Sequence, residues 1–137
     1  MELIVNDRAS IERGIVIRDR YIVISIYDPE KPKPSIPQRA GMRAVLYIPF
    51  HDAEPTSQLD LPAEIQLMTI DDAQQIWEFV QKHRDHVGTI VCHCEQGMSR
   101  SPAVAAALSK LLGEDGDRFF LEHQPNEYVY RMMLECQ

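Results

Sequence analysis

The stretch Thr89-Ile90-Val91-Cys92-His93-Cys94-Glu95-Gln96-Gly97-Met98-Ser99-Arg100-Ser101-Pro102-Ala103-Val104 decides how this chain is read. Thr89 to His93 is a continuous apolar run, the pattern of a strand buried on both faces of a sheet. From Pro102 onward alanine, valine and leucine take over, a strong helix start with proline suited to the first turn. Ser101 suits the N-cap. The polar loop between strand and helix is the informative part. A loop that feeds a helix N-terminus aims several free N–H groups at one spot, with the positive end of the helix dipole behind them. That is a cradle for an anion. Gly97 permits a turn conformation that a Cβ would resist. The donors that hold an anion also stabilise a thiolate, so Cys94 is expected to be a nucleophile at neutral pH. Arg100 closes the loop, and its planar fork can grip two oxygens of a phosphoryl group at once.

The rest of the chain frames that site. At 137 residues it fits one domain spanning 1–137, long enough to bury a hydrophobic core unaided. Hydrophobic residues make up 45% and charged residues 26%, as in an ordinary globular protein. A formal net charge of -7 speaks against nucleic acid or a membrane surface as partner, so a bound anion must be held by local donors. The cysteines at 92, 94 and 136 have no framework spacing, which implies a reducing compartment. Without a signal-like N-terminus or a span-length apolar run, the expected location is the cytoplasm.

Working outward, Leu3-Ile4-Val5 is a short apolar run, and Ser10 is expected to cap a brief helix ending at Gly14. Tyr21 to Tyr27 and Ala44 to Ile48 read as strands. Between them, four prolines in residues 28–37 impose an extended loop. Lys31, Lys33, Arg39 and Arg43 outweigh Asp28 and Glu30 over 28–43, making a solvated or mildly basic rim. Thr69-Ile70-Asp71-Asp72 resembles a capping box, and Ile70, Ala73, Trp77 and Val80 recur at helical spacing as core contacts. Gly88 and Gly113 fall where helices should stop, and a short helix is expected around Phe119–Glu122. Asn126 is placed to cap a terminal amphipathic helix carrying Val129, Met132, Met133 and Cys136. Strands alternating with helices predict an α/β domain whose mostly parallel central sheet is flanked by helices.

His93-Cys94-Glu95-Gln96-Gly97-Met98-Ser99-Arg100-Ser101 matches Cys-x5-Arg-Ser and thereby resembles the cysteine-dependent protein tyrosine phosphatase superfamily, its dual-specificity branch in particular. The resemblance extends from about residue 21 to the end. It implies hydrolysis of phosphotyrosine, with phosphoserine or phosphothreonine also open, through a phosphocysteine and without metal or other cofactor. The substrate is then a phosphorylated protein or peptide. Cys94 is the implied nucleophile and Arg100 the phosphate clamp, with the main chain of Glu95, Gln96, Gly97, Met98 and Ser99 completing the phosphate site. His93 is implied to orient the loop and help keep Cys94 ionised, and Ser101 to stabilise the departing thiolate. The general acid is expected to be an aspartate upstream of the cysteine. Asp52, just after the strand at 44–48, stands where that loop should begin. Its interval to Cys94 is 42 residues, longer than in compact members of the branch, which leaves Asp60 and Glu54 as alternatives.

Other assignments stay open on the residues alone. Cys92 is read as a buried strand cysteine, and Cys92-His93-Cys94 lacks the further ligands a zinc site needs. A cradle of this kind can also bind phosphoresidues without turnover. Rhodanese-type sulfurtransferases place a reactive cysteine in a similar loop, one residue shorter. The loop at 28–43 is the expected wall of the substrate cleft. The oligomeric state is not legible.

Overall fold

The computed structural model describes residues 1–55 and 61–137. Its strands are β1 (Glu2–Asn6), β2 (Tyr21–Tyr27), β3 (Met42–Pro49) and β4 (Thr89–His93), in the sheet order β1-β4-β2-β3. Every neighbouring pair is parallel. The two central strands, β4 and β2, are the two whose residues are apolar almost without interruption, as burial on both faces requires. The Leu3-Ile4-Val5 run, too short to assign from pattern, becomes the edge strand β1, in register with Ile90–Cys92 of β4.

Two-residue periodicity then sorts the side chains of the central strands. Ile22, Ile24 and Ile26 of β2, with Ile90 and Cys92 of β4, enter the larger hydrophobic cluster. Cys94, one residue beyond β4, continues that series on the same face. Tyr21, Val23 and Val91 point the other way and join a smaller cluster around Ile11. Each of the three β2 isoleucines is fully buried, a contribution of roughly 1.5–3 kcal/mol apiece.

The helices divide unequally between the faces. The larger cluster is covered by α2 (Ile70–His83), α3 (Arg100–Leu111), α4 (Asp117–Glu122) and α5 (Glu127–Glu135). On the other face lie α1 (Arg8–Arg13) and the apolar loop residues Ile15, Ile17 and Ile36. Helix α3 is buried along its length from Arg100 to Ser109, and the run Ala105-Ala106-Ala107 keeps it thin enough to lie between sheet and outer helices.

Helix ends follow local chemistry. Thr69 and Asp72 exchange side-chain-to-backbone bonds in a full capping box at α2. Asn126 caps α5 by accepting from the Val129 N–H at 3.0 Å. Two expected caps are corrected. Asp7 caps α1, accepting from the N–H of Ser10, because the helix already begins at Arg8, two residues before Ser10. Ser101 does not cap α3, which already begins at Arg100; Ser99 occupies the cap position and makes no side-chain cap bond. The first N–H groups of α3 are therefore left without a capping side chain, which is what an anion site requires.

Candidate active site

The loop from Cys94 to Ser99 is held by four of its carbonyls, which bond outward. The Cys94 carbonyl meets His93 Nδ1 at 3.3 Å, and the Glu95 carbonyl accepts from the Arg8 N–H at 3.1 Å. The Met98 and Ser99 carbonyls accept from the N–H groups of Gln124 and Asn126, at 3.1 and 3.0 Å. With four carbonyls committed to the outside, the N–H groups face inward. That of Gly97 donates to Cys94 Sγ at 3.2 Å. Those of Glu95, Gln96, Met98 and Ser99 reach no protein acceptor among the described residues. Gly97 has φ +70°, and a Cβ there would stand 3.0 Å from the backbone of Asn6 and Asp7, so the close seat against the end of β1 selects glycine.

Cys94 is 2% exposed, at the floor of this cradle, and its sulfur lies 3.1 Å from Ser101 Oγ. The hydroxyl and the Gly97 N–H are the two groups positioned to steady negative charge on that sulfur. His93 points to the opposite face, where Ser25, its register partner on β2, lies 2.6 Å from Nε2. Burial holds this imidazole below its ordinary value of 6.5. A neutral ring facing a carbonyl must carry its proton on Nδ1, so Nδ1–H donates to Cys94 and Nε2 accepts from the Ser25 hydroxyl. His93 thus acts on the loop through the carbonyl of the cysteine, not through a positive charge. Cys92 is wholly buried, and burial pushes its thiol well up, as expected of a core cysteine.

Arg100 is 4% exposed and anchored along one edge only. Its Nη1 donates to Asp28 Oδ1 and to the Phe50 carbonyl, each at 2.7 Å. Nε is buried without a partner, and Nη2 has none among the described residues. The Nε–Nη2 edge is the one an arginine uses for bidentate capture of a phosphate. A buried donor costs stability unless matched, and this open edge has the geometry to be matched by two oxygens of an anion.

Asp28 was legible only as part of the wall loop. Burial would raise its carboxyl, but the bond and charge of Arg100, with help from Lys31, hold it below the ordinary carboxylate value. Glu95, implied as part of the phosphate site, offers only its main chain there. Its side chain turns away to Arg8 Nη1 at 3.2 Å, Lys31 Nζ at 3.5 Å and the Asp28 N–H at 3.2 Å. Gln96 and Met98 are exposed at the rim.

Asp52 reaches the same place from the β3 side. Its Oδ1 accepts from Ser99 Oγ at 2.8 Å and from Asn126 Nδ2 at 2.9 Å, and Asn126 also binds the Ala53 carbonyl at 3.2 Å. Asn126, read from sequence as a helix cap alone, therefore joins the loop after β3 to α5, and through Asp52 to Ser99 of the cradle. Glu54 is occupied elsewhere, accepting from the Glu127 N–H at the start of α5. Asp60 lies outside the described residues. The long interval between Asp52 and Cys94 has a local cause. His51 and Gln66 clasp one another, the His51 N–H donating to the Gln66 carbonyl at 2.7 Å and the Gln66 N–H to His51 Nδ1 at 2.9 Å. The clasp brings residues 51 and 66 together, and the bonds to Ser99 and Asn126 hold Asp52 at the cleft. Asp52, Cys94, Arg100, Asp28 and Lys31 together line a cleft of about 320 Å³. Among the described residues, no three His, Cys, Asp or Glu side chains gather as metal ligands, and no helix is long and apolar enough to cross a membrane.

No protein-family model matches the chain, and no curated protein matches it by sequence. Solved structures do. Human DUSP28 superposes with a TM-score of 0.58 at 17% identity, covering 98% of this chain and 90% of its own. A mouse putative dual specificity phosphatase, complexed with zinc tungstate, gives 0.48 at 20% identity over 84% of this chain and 69% of that one. The match to the human protein takes in β1 and α1 as well as the part from residue 21 onward. The chain has the fold of the dual-specificity phosphatases.

Proposed function

We propose that this protein is a metal-independent cysteine phosphatase that hydrolyses phosphate monoesters on proteins or peptides, phosphotyrosine foremost. The observation that carries the reading is that Cys94, the loop residues whose N–H groups have no protein acceptor among the described residues, and Arg100 with its open Nε–Nη2 edge line one cleft. Such a site complements a trigonal phosphoryl group with a nucleophile beneath it.

In the first step Cys94 thiolate attacks phosphorus in line, the S–P bond forms and the bond to the leaving oxygen breaks. The loop amides and Arg100 hold the three equatorial oxygens, and Asp52 gives its proton to the leaving oxygen. In the second, water attacks phosphorus and passes a proton to Asp52. The S–P bond breaks, inorganic phosphate departs, and the Ser101 hydroxyl donates to the returning thiolate. An aryl oxygen leaves with less help from the acid than an alkyl one, which favours phosphotyrosine.

The test is hydrolysis of para-nitrophenyl phosphate in EDTA and reductant. Turnover by the wild type that is lost in Cys94→Ser is the expected outcome. A folded, reduced wild type without turnover overturns the reading.

A further inference from the structure

A second depression, of about 580 Å³, opens beside the catalytic cleft and shares His51 and Ile65 with it. Its other lining residues are Pro29, Glu30 and Glu64. A phosphorylated chain seated over Cys94 has to leave the cleft across its rim, and on this side it crosses that depression. Pro29 and Ile65 supply apolar surface, and Glu30 and Glu64 supply two carboxylates.

The charge of the pair is not offset locally. His51 Nδ1 accepts from the Gln66 N–H, so the ring proton is on Nε2, donated to Glu30 Oε1 at 2.7 Å. In that state His51 is neutral; it aims Glu30 but does not neutralise it. Glu64 has no salt-bridge partner among the described residues. Lys31, which follows Glu30 in the chain and lines the cleft, is committed to Asp28 and Glu95. Apolar surface bordered by two carboxylates fits a side chain with a long aliphatic stem and a cationic end.

We propose that this depression is a substrate subsite for an arginine or lysine one to a few residues from the phosphoresidue. The proposal rests on the phosphatase reading above and names its substrate class: phosphopeptides that are basic on one side of the phosphate. The net charge of -7 acts in the same direction, drawing cationic chains toward the protein.

The experiment uses phosphotyrosine peptides in which one position at a time, on either side of the phosphoresidue, carries Arg, Ala or Glu. At one position or two adjacent ones, kcat/KM is expected to rank Arg above Ala above Glu. Each exposed pair adds up to about fivefold, and the spread shrinks in high salt. Glu64→Lys should abolish or reverse the ranking and leave para-nitrophenyl phosphate turnover unchanged. Turnover of all peptides at equal rates, with Glu64→Lys indistinguishable from wild type, overturns the subsite and leaves the phosphatase reading standing. If para-nitrophenyl phosphate is not hydrolysed, that reading falls. Binding of the same peptides to the Cys94→Ser protein, followed by fluorescence polarisation, then decides the subsite: Arg over Glu sustains it, equal affinity ends it.

Discussion

Under the mechanism proposed above, with Asp52 as general acid, Asn126 offers the sharpest test of how that acid is held. Its side chain makes three bonds at once: Oδ1 caps α5 through the Val129 N–H, and Nδ2 donates to Asp52 Oδ1 and to the Ala53 carbonyl. Asn126→Ala removes all three. The lost cap costs about 1 kcal/mol. The lost bond to a carboxylate costs about 1.5 kcal/mol, the low end of the range for charged partners, because Asp52 is exposed and water replaces part of it. A destabilisation of about 2–3 kcal/mol follows, lowering Tm by roughly 6–12 °C in a domain of this size. The catalytic effect has a separate signature. Asp52 stays tethered to Ser99 Oγ, so the acid is loosened, not lost. A positioned acid contributes roughly 10²–10⁴-fold, mostly for poor leaving groups, so a loss of about tenfold with phenyl phosphate and little with para-nitrophenyl phosphate is expected. Asn126→Asp separates the two roles. Aspartate caps as well as asparagine, so α5 keeps its end, but a second carboxylate now faces Asp52 Oδ1. That variant keeps the cap but sets a buried carboxylate against Asp52 and the Ala53 carbonyl, and it should show the same leaving-group dependence as Asn126→Ala. In an Asp52→Asn background neither change should add a further leaving-group effect. A uniform loss across leaving groups, or an Asn126→Asp enzyme with wild-type dependence, would refute the positioning role.

Asp28→Ala takes away the charged anchor of Arg100 Nη1, so inorganic phosphate should inhibit about tenfold less well, as for loss of a charge-assisted bond. Asp28→Asn keeps an acceptor in place and should recover part of that loss; inhibition unchanged in both variants would remove Asp28 from the site. Gly97→Ala forces a Cβ to within 3.0 Å of Asn6 and Asp7 at φ +70°, at a conformational cost of about 1–2 kcal/mol. Turnover should fall at least tenfold as the N–H bound to Cys94 shifts, and wild-type turnover would contradict the described loop. The buried His93 is held below 6.5, so it stays neutral in the folded protein where the unfolded chain takes up a proton. Its contribution to stability is therefore present above pH 6.5 and declines as pH falls below it. His83 acts with the same sign. Thermal melts between pH 7.5 and 5 should show this decline, less steeply in His93→Gln, and equal slopes would reject it.

What could be read from the residues was what depends on local pattern. The strand-loop-helix around Cys94, the proline-broken loop and the caps at Thr69 and Asn126 each rest on chemistry within a few neighbours. The partners of those features do not. Asp28 meets Arg100 across 72 positions and Asn126 meets Asp52 across 74, and only the sheet order β1-β4-β2-β3 brings the ends of β2, β3 and β4 together. Ser101 shows the reverse error. A serine one position before a helical proline scores as a cap, yet its hydroxyl is drawn to Cys94 because the helix starts a residue earlier. β1 is legible only as the short apolar run Leu3-Ile4-Val5 for a related reason: five residues of an edge strand carry too little periodicity, and parallel pairing with β4 supplies what propensity does not.

The net charge of -7 poses a question for the phosphatase reading: how an acidic protein would hold a phosphate dianion in a cleft lined by three of its own carboxylates, Asp28, Asp52 and Glu95. Asp28 and Glu95 both line the cleft, and either one directed at Cys94 would repel substrate. Neither is free to do so. Asp28 lies behind Arg100 on its Nη1 side, away from the open edge, and Glu95 is pulled outward by Arg8 and Lys31. Arg8, Lys31 and Arg100 are matched by Glu12, Asp28 and Glu95, so this network is balanced, and the loop amides add their own partial positive charges at the cradle. The carboxylates thus act as backing that orients the cations. Screening reinforces the arrangement: beyond about 8 Å in physiological salt the remaining acidic surface has little reach into the cleft, and the charges within it dominate. The sign of the whole protein and the sign of its site are separable for that reason, and an anion site in an acidic chain is recognised by where its carboxylates are tied, not by how many there are.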